Sequence, residues 1–500
     1  MTMPPALPEF LYDTAGVRAL DRYAIDRCGI PGAQLMLRAG RAAFAQLLQR
    51  WPEPAHIHVL CGTGNNGGDG FVMAALAQQR GLPVSVWQVG AAARIQGDAL
   101  LAREFAVREG VSILSFAEEA FAEAASSAGV VVDALLGTGL SGEVRAEFVA
   151  AIDAINGCGL PVLAADIPSG LCSDSGRVLG CAVRADLTVS FIGLKQGLFT
   201  GAGPECCGDV VYTDLGVPDE VFARVAPTSR LLQLESLQGL LPPRARAAHK
   251  GHFGHMLVVG GDSGMAGAAL MASVAAGRVG AGLVSCATRA EHVAALVTRA
   301  PEVMALGVRS GSELQPALAR ASVVVIGPGL GQAAWGEQLL AAVLRSDKPL
   351  VIDADALNLL ARRSAVRANW ILTPHPGEAA RLLGVNNADV QADRFAAARA
   401  LQQKFGGAVV LKGAGTLVAT AAGVGIAPYG NPGMASGGMG DVLSGVLGAL
   451  LAQGLTVDQA AAFGVCLHGR AGDLAALDGG ERGLLATDLL PHLRRLVNAC

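Results

Sequence analysis

Short apolar runs rich in β-branched residues alternate with longer Ala/Leu-rich segments along the whole chain. The runs predict buried strands, and the segments between them have the length of helices. The predicted strands are His56–Cys61, Val84–Val89, Val130–Asp133, Pro161–Ala165, Met256–Gly260, Leu283–Cys286, Val323–Ile326, Leu350–Asp353, Trp370–Thr373 and Ala408–Leu411. Wholly apolar strands that alternate with helices are typical of mainly parallel sheets covered on both faces. The pattern therefore predicts an α/β protein.

The alternation is interrupted once, between about residues 226 and 250. This stretch contains Pro242-Pro243 followed by a cluster of basic residues, and Leu231–Leu241 could form a short connecting helix. We therefore predict two domains, residues 1–228 and 246–500, with residues 229–245 as the linker. No repeat relates the two halves.

Composition narrows the class of protein. Only 16% of the residues are charged, against about 25% in an ordinary globular protein, and 52% are apolar, which excludes a disordered chain. A formal net charge of −4 argues against a nucleic-acid partner, and no apolar run is long enough to predict a membrane span. The ten cysteines lack metal-ligand spacing, and Met1–Pro8 lack the pattern of a secretory signal. We expect a cytoplasmic enzyme.

A glycine-rich motif follows the first predicted strand and runs from Gly62 to Gly70, with a helix expected from about Phe71. It contains GxGxxG, which suggests a dinucleotide-binding turn, but the next strand ends at Val89 without the acidic residue that would hold a ribose. The motif instead carries Asn65, Asn66 and Asp69, whose amides and carboxylate can bind a polar ligand or cap the helix. The motif alone does not decide between a ligand site and a cap.

Two further acidic residues close predicted strands of the first half. Asp133 precedes a Gly-Thr-Gly segment, and Asp166 precedes a Pro-Ser-Gly turn. Ligands of open α/β sheets bind beyond the carboxyl ends of the strands, where these loops would converge. Oxygen atoms of Asn66, Asp133 and Ser169 could also enclose a hard cation. Either aspartate could instead be a turn former, Asp166 less readily because it closes a buried strand.

The strongest pattern of the second half extends from Asn431 to Gly445. Four glycines between Gly433 and Gly440 precede an apolar helical run, so backbone amides at the helix start would bind a phosphoryl group. Asp441 follows them and could accept a hydroxyl proton, or could cap the helix. A separate Lys412-Gly413 turn after a strand suits a nucleotide diphosphate but lacks the P-loop spacing.

Other loops of the second half also follow strands. They carry Gly327–Gly331, the proline-flanked His375, and Asp353 with Asp355. For the two aspartates, magnesium binding and helix capping cannot be separated by sequence.

The first half resembles the NAD(P)H-hydrate epimerase domain over about residues 10–220. The resemblance rests on NNGGDG, D-x-x-x-G-T-G-L-x-G and DIPSG, in this order. It implies a Rossmann-like three-layer domain in which Asn66, Asp133 and Ser169 bind potassium and Asp166 contacts the substrate. We assign Asp166 as the group that moves the proton. The residues that the resemblance implies for substrate binding are Asn65, Asn66, Gly67, Gly68, Asp69, Gly137, Thr138, Gly139, Leu140, Ser141, Gly142, Glu143 and Asp166.

The second half is similar to the ADP-dependent NAD(P)H-hydrate dehydratase, a family of ribokinase-like fold, over about residues 245–498. The similarity rests on HKGHFG, GMAGAAL, GAGLV, LTPHPGEAARLL, LKGAGT, NPGMASGGMGDVLSG and GLLATDLLP. It implies Asp441 as catalytic base. The residues that it implies for ADP are Lys412, Gly413, Ala414, Gly415, Thr416 and Gly440, and those for the hydrate are Ala268, Gly329, His375 and Asp441.

Together the two resemblances imply repair of hydrated NADH and NADPH (NADHX and NADPHX), in which R and S epimers interconvert and the S form is dehydrated with ADP, releasing AMP and phosphate. Magnesium would assist, and we expect a homo-oligomer with small-molecule partners only. Three alternatives remain open from the residues. The second domain could be a vitamin or sugar kinase, the first could be a non-catalytic binding module, or the GxGxxG pattern could mark a nicotinamide-linked oxidoreductase.

Overall fold

The computed structural model describes residues 7–498, and it divides after Arg230 into two compact units, called unit 1 and unit 2 below. Most of the Met1–Pro8 stretch, for which we expect no secretory signal, lies outside the described residues. Within the described residues, no helix has the length and apolar character needed to cross a membrane. Residues 229–245, predicted as a linker, contain both a short strand and a short helix.

Unit 1 is built on a seven-stranded sheet. In chain order the strands are β1 Phe10–Leu11, β2 Ile57–Cys61, β3 Val84–Gln88, β4 Ser112–Ser115, β5 Val130–Ala134, β6 Val162–Ala165, β7 Leu187–Phe191, β8 Asp209–Thr213 and β9 Ser229–Leu231. Strands β2 to β8 form the sheet, and β1 and β9 are two short strands outside it. The sheet order is β4-β3-β2-β5-β6-β7-β8, and every neighbouring pair is parallel. The four strands predicted in this half are confirmed within two residues at each end. The strands β1 and β9 pair in an antiparallel manner.

Helices cover both faces of this sheet. They are α1 Thr14–Asp26, α2 Gly32–Arg50, α3 Asn65–Gln79, α4 Gly97–Arg108, α5 Glu118–Ala124, α6 Ala146–Gly157, α7 Gly203–Cys206 and α8 Asp219–Arg224. One apolar core lies between the sheet and helices α1 to α4, and a second lies between the sheet and helices α5 and α6. The unit therefore has the Rossmann-like three-layer arrangement that the sequence predicts.

Unit 2 has a larger sheet. Its strands are β10 His255–Val259, β11 Leu283–Thr288, β12 Met304–Gly307, β13 Val323–Ile326, β14 Leu350–Ile352, β15 Trp370–Leu372, β16 Ala408–Leu411, β17 Thr416–Thr420 and β18 Gly423–Ala427. Seven parallel strands run in the order β12-β11-β10-β13-β14-β15-β16, and the hairpin β17-β18 adds two antiparallel strands beyond β16. All six strands predicted in this half are confirmed.

The helices of unit 2 are α9 Leu234–Leu237, α10 Ala266–Val279, α11 Val293–Arg299, α12 Gly311–Arg320, α13 Ala334–Leu344, α14 Ala354–Leu360, α15 Pro376–Leu383, α16 Asn387–Ala392, α17 Arg394–Phe405, α18 Met439–Ala452, α19 Val457–Gly479 and α20 Leu489–Leu496. Helices α10, α18, α19 and α20 share one apolar core with the sheet. Helices α10 and α18 pack closely because Gly445 has no Cβ, which would lie 2.1 Å from the carbonyl oxygen of Ala272. This packing fixes the start of α18 against the sheet.

The cysteines that the structure describes are all free thiols. Burial raises the pKa of Cys206 to about 11 and the pKa of Cys286 to about 12. It also raises the pKa values of Cys61, Cys207 and Cys466. These side chains fill core positions as small apolar groups.

Candidate active sites

The glycine motif of unit 1 is helical rather than a loop. Helix α3 begins at Asn65, six residues before the predicted start at Phe71, so that prediction is wrong. A Cβ on Gly67 would lie 2.1 Å from the carbonyl oxygen of Gly62, and one on Gly68 would lie 2.4 Å from the Met36 sulfur. These glycines let α3 pack closely against its neighbours, which is why a glycine-rich segment forms a helix here.

A cavity of about 570 Å³ lies over the carboxyl ends of the unit 1 strands. The predicted substrate-binding residues that line it are Asn65, Asn66, Asp69, Gly137, Thr138, Gly139, Leu140, Ser141, Glu143 and Asp166. Gly67, Gly68 and Gly142 do not line it. Helix α1 contributes Arg18 and Asp21, which the sequence analysis did not single out. The structure thus brings the three predicted strand-end loops of this unit to one cavity.

Asp166 is held in an uncommon conformation at the wall of this cavity. Its φ of 67° is in the left-handed region, which costs free energy for a residue with a side chain and is found most often at functional sites. Its Oδ1 atom accepts hydrogen bonds from the backbone N–H of Phe191 (3.1 Å) and from the ammonium of Lys195. The side chain is 16% exposed, so the carboxylate is fixed yet open to the cavity.

Three carboxyl groups, those of Asp21, Asp69 and Asp166, interact electrostatically with the Lys195 ammonium. Burial raises the pKa of Asp21 to about 6, with Lys195 lowering it and Asp166 raising it. Burial, Asp166 and Asp21 raise the pKa of Asp69 well above its usual range, against an opposing effect of Lys195. Asp21 and Asp69 therefore bind a proton more readily than ordinary aspartates do.

The predicted cation ligands are partly satisfied within the protein. Asp133 is fully buried; its Oδ1 accepts from the Ser169 hydroxyl (2.6 Å) and its Oδ2 from the Ser169 backbone N–H (2.7 Å). Burial raises the pKa of Asp133 to about 6, and the hydrogen bonds from Ser169 and Leu135 oppose the rise. The amide of Asn66 is buried, and neither its oxygen nor its nitrogen has a hydrogen-bond partner within the described residues.

An unpartnered buried amide is costly, so a bound group is expected to satisfy Asn66. An amide oxygen, a carboxylate and a hydroxyl are the kinds of oxygen donor that fit a hard monovalent cation such as potassium. These donors do not form a cage of charged ligands. Among residues 7–498, no group of three or more His, Cys, Asp or Glu side chains is arranged to hold a metal ion.

In unit 2, the predicted site residues follow the carboxyl ends of adjacent strands. Asp353 follows β14, His375 follows β15 and Lys412 follows β16. Helix α18 begins at Met439 with Gly438 as N-cap in a left-handed conformation (φ 95°). A Cβ on Gly440 would lie only 3.3 Å from the Lys412 Nζ atom, so the glycine segment and the lysine turn meet at one place.

A network of buried polar groups surrounds the Lys412 ammonium. It donates to Asp353 Oδ1 (2.9 Å), and that buried carboxylate also accepts from Thr373 Oγ1 (2.8 Å) and Ser444 Oγ (2.8 Å). Burial lowers the pKa of Lys412, but the charges of Asp353 and Glu378 outweigh it, so the pKa lies above its usual value. Lys412 therefore stays charged and can attract phosphate.

Asp441 lies in the first turn of α18 but does not cap the helix, since Gly438 occupies that position. Burial raises the pKa of Asp441 to about 7, the charge of Asp353 raises it too, and Lys412 opposes the rise. A carboxylate with a pKa near neutrality accepts a proton more readily than an ordinary aspartate. The arrangement thus provides a candidate base beside an anion-binding helix start.

The buried side chain of Arg394 holds the Lys412-Gly413 turn in place. The Arg394 guanidinium donates to the carbonyl oxygens of Leu411 and Lys412, each at 3.3 Å. The turn itself requires Gly413, whose φ is 140° and whose Cβ would lie 2.7 Å from Arg394. The predicted nucleotide residues Ala414, Gly415 and Thr416 continue this turn into β17.

The predicted hydrate-binding residues lie at helix starts and in one loop: Ala268 is in the first turn of α10, His375 is the N-cap of α15, Asp441 is in the first turn of α18, and Gly329 follows β13. Gly329 and Ala268 adjoin, because a Cβ on Gly329 would lie 3.2 Å from that of Ala268. His375 caps α15, because its Nδ1 atom accepts a hydrogen bond from the backbone N–H of Gly377 (3.0 Å). The Nε2 atom takes no part in this cap. Burial and the charge of Lys412 lower the pKa of His375, so the ring is neutral at pH 7.

Five residues of these sites that were missed from the sequence are Arg18, Asp21, Lys195, Glu378 and Ser444. Burial raises the pKa of Glu378 to about 7, with Lys412 and a hydrogen bond from His375 opposing the rise. Glu378 could have been identified, since it stands three residues after the predicted His375 as in a capping box. No sequence signal marks Asp21 on its amphipathic helix.

Comparison with known proteins adds to this geometry. Residues 32–197 match the family model described as YjeF-related protein N-terminus, and residues 256–495 match the NAD(P)H-hydrate dehydratase model. The bifunctional NAD(P)H-hydrate repair enzyme Nnr of Coxiella burnetii is 52% identical over 98% of this chain and 99% of its own. That of Escherichia coli is 44% identical over 99% and 95%, respectively.

Among solved structures, a ribokinase-like superfamily protein of Enterococcus faecalis is 31% identical, with a TM-score of 0.50, and covers 54% of this chain and 95% of its own. Unit 2 is accordingly ribokinase-like. Because the relatives match over the whole chain, the likeness extends across both units. The chain belongs to the family of bifunctional NAD(P)H-hydrate repair enzymes.

Proposed function

We propose that this chain repairs hydrated NADH and NADPH. Unit 1 interconverts the R and S epimers, and unit 2 dehydrates the S form with ADP as phosphoryl donor, releasing AMP and phosphate. The observation that carries the proposal is the position of Asp441 beside both the glycine start of α18 and the Lys412 ammonium, in a chain whose relatives share its full length.

In unit 2, Asp441 removes the proton from the hydrate's hydroxyl as that oxygen attacks the terminal phosphoryl group of ADP. A new P–O bond forms, the bridging P–O bond breaks, and AMP leaves. The phosphate ester is a better leaving group than hydroxide, so the C–O bond then breaks and a proton is lost from the neighbouring ring carbon. Backbone amides at the start of α18 and the Lys412 ammonium stabilise the phosphoryl charge.

Magnesium fits this site because a phosphate-bound Mg²⁺ needs only one or two protein carboxylates. Asp353 and Glu378 are the buried carboxylates near Lys412 that could serve. The metal would neutralise charge on the phosphates. Our assignment of Lys412–Thr416 and Gly440 to the nucleotide is supported by the close approach of Gly440 to the Lys412 ammonium. That of Ala268, Gly329 and His375 to the hydrate is supported by the contact between Ala268 and Gly329 and by the charge of Lys412 acting on His375.

In unit 1, Asp166 moves the proton that accompanies loss and recovery of configuration at the hydroxyl-bearing carbon. It is supported in this role by its fixed carboxylate at the cavity wall. Asn65–Asp69 and Gly137–Glu143 would bind the nucleotide part of the substrate. Asn66, Asp133 and Ser169 would hold potassium, which is supported by the unpartnered amide of Asn66. The cation would order the loop between β5 and α6 around the ligand.

The domains follow from the same assignment, with residues 1–228 as the epimerase, 229–245 as the linker and 246–500 as the dehydratase. We place the protein in the cytoplasm, which its free thiols support. A homo-oligomer stays our expectation on the strength of its Gly/Ala-rich helices alone. No partner beyond NADHX, NADPHX and ADP enters the proposal.

The test incubates the full chain with both hydrate epimers, potassium and magnesium, with ADP, with ATP or without nucleotide. With ADP, we expect both epimers to disappear while reduced-nicotinamide absorbance and inorganic phosphate rise together. Without nucleotide, the epimers should interconvert and the absorbance should stay constant. A phosphorylated hydrate that accumulates as the end product would instead identify a kinase, and an R epimer that persists would make unit 1 non-catalytic.

Two variants separate the sites. Asp441→Asn should lose dehydration and keep epimerisation, whereas Asp166→Ala should lose epimerisation and keep dehydration of the S form. Loss of both activities from either single change, in a folded chain, would contradict two independent sites.

A further inference from the structure

Lys195 is a fully buried lysine at the wall of the unit 1 cavity, and the proposed function gives it no role so far. It is the only lysine among residues 1–230, where all other basic side chains except histidine are arginines. Its side chain is 1% exposed. A buried ammonium is costly unless it is paired and hydrogen-bonded, so its position requires an explanation.

All three hydrogens of the Lys195 ammonium have partners inside the protein. It donates to Asp166 Oδ1, to Ser190 Oγ at 3.2 Å and to the carbonyl oxygen of Phe191 at 3.0 Å. An ammonium has no further donor. Lys195 therefore cannot hydrogen-bond a ligand without losing one of these partners, and its effect on a ligand must pass through Asp166.

The hydrogen bonds to Asp166 also distinguish its two oxygens. Within the described residues, Lys195 and the backbone N–H of Phe191 both donate to Oδ1, and none donates to Oδ2. The left-handed backbone of Asp166 and the strand end at Phe191 fix this geometry. The oxygen without a partner is the one available at the cavity wall.

Two further carboxyl groups lie around this pair. Helix α1 contributes Asp21 and helix α3 contributes Asp69, and both carboxyl groups interact electrostatically with Asp166 and Lys195. Arg18 and Arg145 are basic groups that also line the cavity. Lys195 is the cation that is hydrogen-bonded to Asp166 within the described residues, and its loss would leave the Oδ1 atom with the backbone N–H of Phe191 alone.

We propose that Lys195 is the positioning residue of the epimerase: by holding Oδ1 it fixes the Asp166 carboxylate and directs Oδ2 toward the substrate. As Oδ2 takes the hydroxyl proton, the bond from the hydroxyl-bearing carbon to the ring nitrogen breaks, its electron pair goes to that nitrogen, and the carbon becomes an aldehyde. The nitrogen then attacks the other face of the aldehyde, the C–N bond reforms and Oδ2 returns the proton, while Lys195 keeps its three hydrogens. This inference rests on the proposed function of unit 1.

The test measures epimerisation of R-NADHX by the full-length Lys195→Met variant, without nucleotide so that dehydration does not consume the product. We expect kcat to fall about 100-fold, in the range of general-base effects, with KM changed less than about threefold. Dehydration of the S form by the same sample reports a folded, active unit 2.

Amine rescue separates positioning from folding. In Lys195→Ala, n-propylammonium replaces the missing atoms, and we expect it to restore epimerisation by at least about tenfold at saturation. Arg22→Met, which removes an exposed cation from α1, is the control and should behave as the parent. Parental kcat in a folded Lys195→Met chain would overturn the proposal, as would a loss of epimerisation in Lys195→Ala that amine does not restore. Failure of the parent itself to epimerise would overturn the proposed function, and this inference with it.

Discussion

Replacing Asp441 with asparagine tests the chemistry of unit 2 and its electrostatics together. The change keeps the shape of the side chain but removes its ability to accept a proton. General-base catalysis contributes about 10²–10⁴-fold, so we expect dehydration of the S hydrate to fall by that factor. With the pKa of Asp441 at about 7, the parent should itself lose rate by about fivefold between pH 7 and pH 6, as the ionised fraction falls from a half to a tenth.

The same substitution should stabilise the protein. The carboxyl pKa rises on folding from 3.8 to about 7, so the folded state holds a proton that the unfolded state releases, and stability falls as pH rises through this window. Asparagine cannot ionise. Asp441→Asn should therefore unfold at a higher temperature than the parent at pH 8, and the difference should vanish near pH 4.

The assay follows reduced-nicotinamide absorbance from pH 5.5 to 8.5 with saturating ADP and magnesium, and calorimetry gives the unfolding temperatures. Asp458→Asn, the same chemical change on the exposed start of α19, is the matched control and should leave the dehydration rate as in the parent. Dehydration by Asp441→Asn within threefold of the parent rate would refute the assignment of the base. A lower unfolding temperature at pH 8 would refute the electrostatic argument.

Three further changes test other parts of the structure. Gly67→Ala places a methyl group 2.1 Å from a backbone carbonyl oxygen, so unit 1 should lose about 1–3 kcal/mol of stability and its epimerase activity. The control Gly157→Ala, whose methyl group would meet nothing within 4 Å, should have neither effect. Calorimetry and an epimer assay compare the two variants. Asp353→Asn removes the charged partner of Lys412, and urea unfolding should show unit 2 destabilised by about 2–4 kcal/mol; an unchanged midpoint would contradict the network. Asn66→Ala should raise the potassium concentration for half-maximal epimerisation at least about threefold, and equal potassium curves would remove Asn66 from the cation site.

The central strands of both sheets could be predicted because each is buried on both faces and apolar throughout. Strand β7, Leu187–Phe191, was missed because Thr188 and Ser190 interrupt its apolar run, although both are fully buried. The Thr188 hydroxyl finds a partner in the carbonyl oxygen of Cys207, a contact that no local pattern reveals. Missing this strand also hid Lys195, which follows its carboxyl end.

The candidate sites were predictable where a glycine-rich motif marks them and hidden where a tertiary contact makes them. Asp441 and Lys412 stand in such motifs, and their meeting beside Gly440 follows from the order of the strands. The helical start at Asn65 was missed because glycine disfavours helices in isolation, whereas here its small size permits close packing. Close packing therefore outweighs the low helix propensity of glycine at this position.

The buried thiols have a consequence for survival under oxidative stress. Peroxide reacts with the thiolate, and a cysteine whose pKa is about 11 or higher holds almost none at physiological pH. Cys206 and Cys286 should therefore be oxidised to sulfenic acid only slowly. Their burial protects them further, because an oxidant reaches them only when the fold opens. A catalyst that salvages damaged coenzymes can thus keep working in a cell whose redox balance has been disturbed.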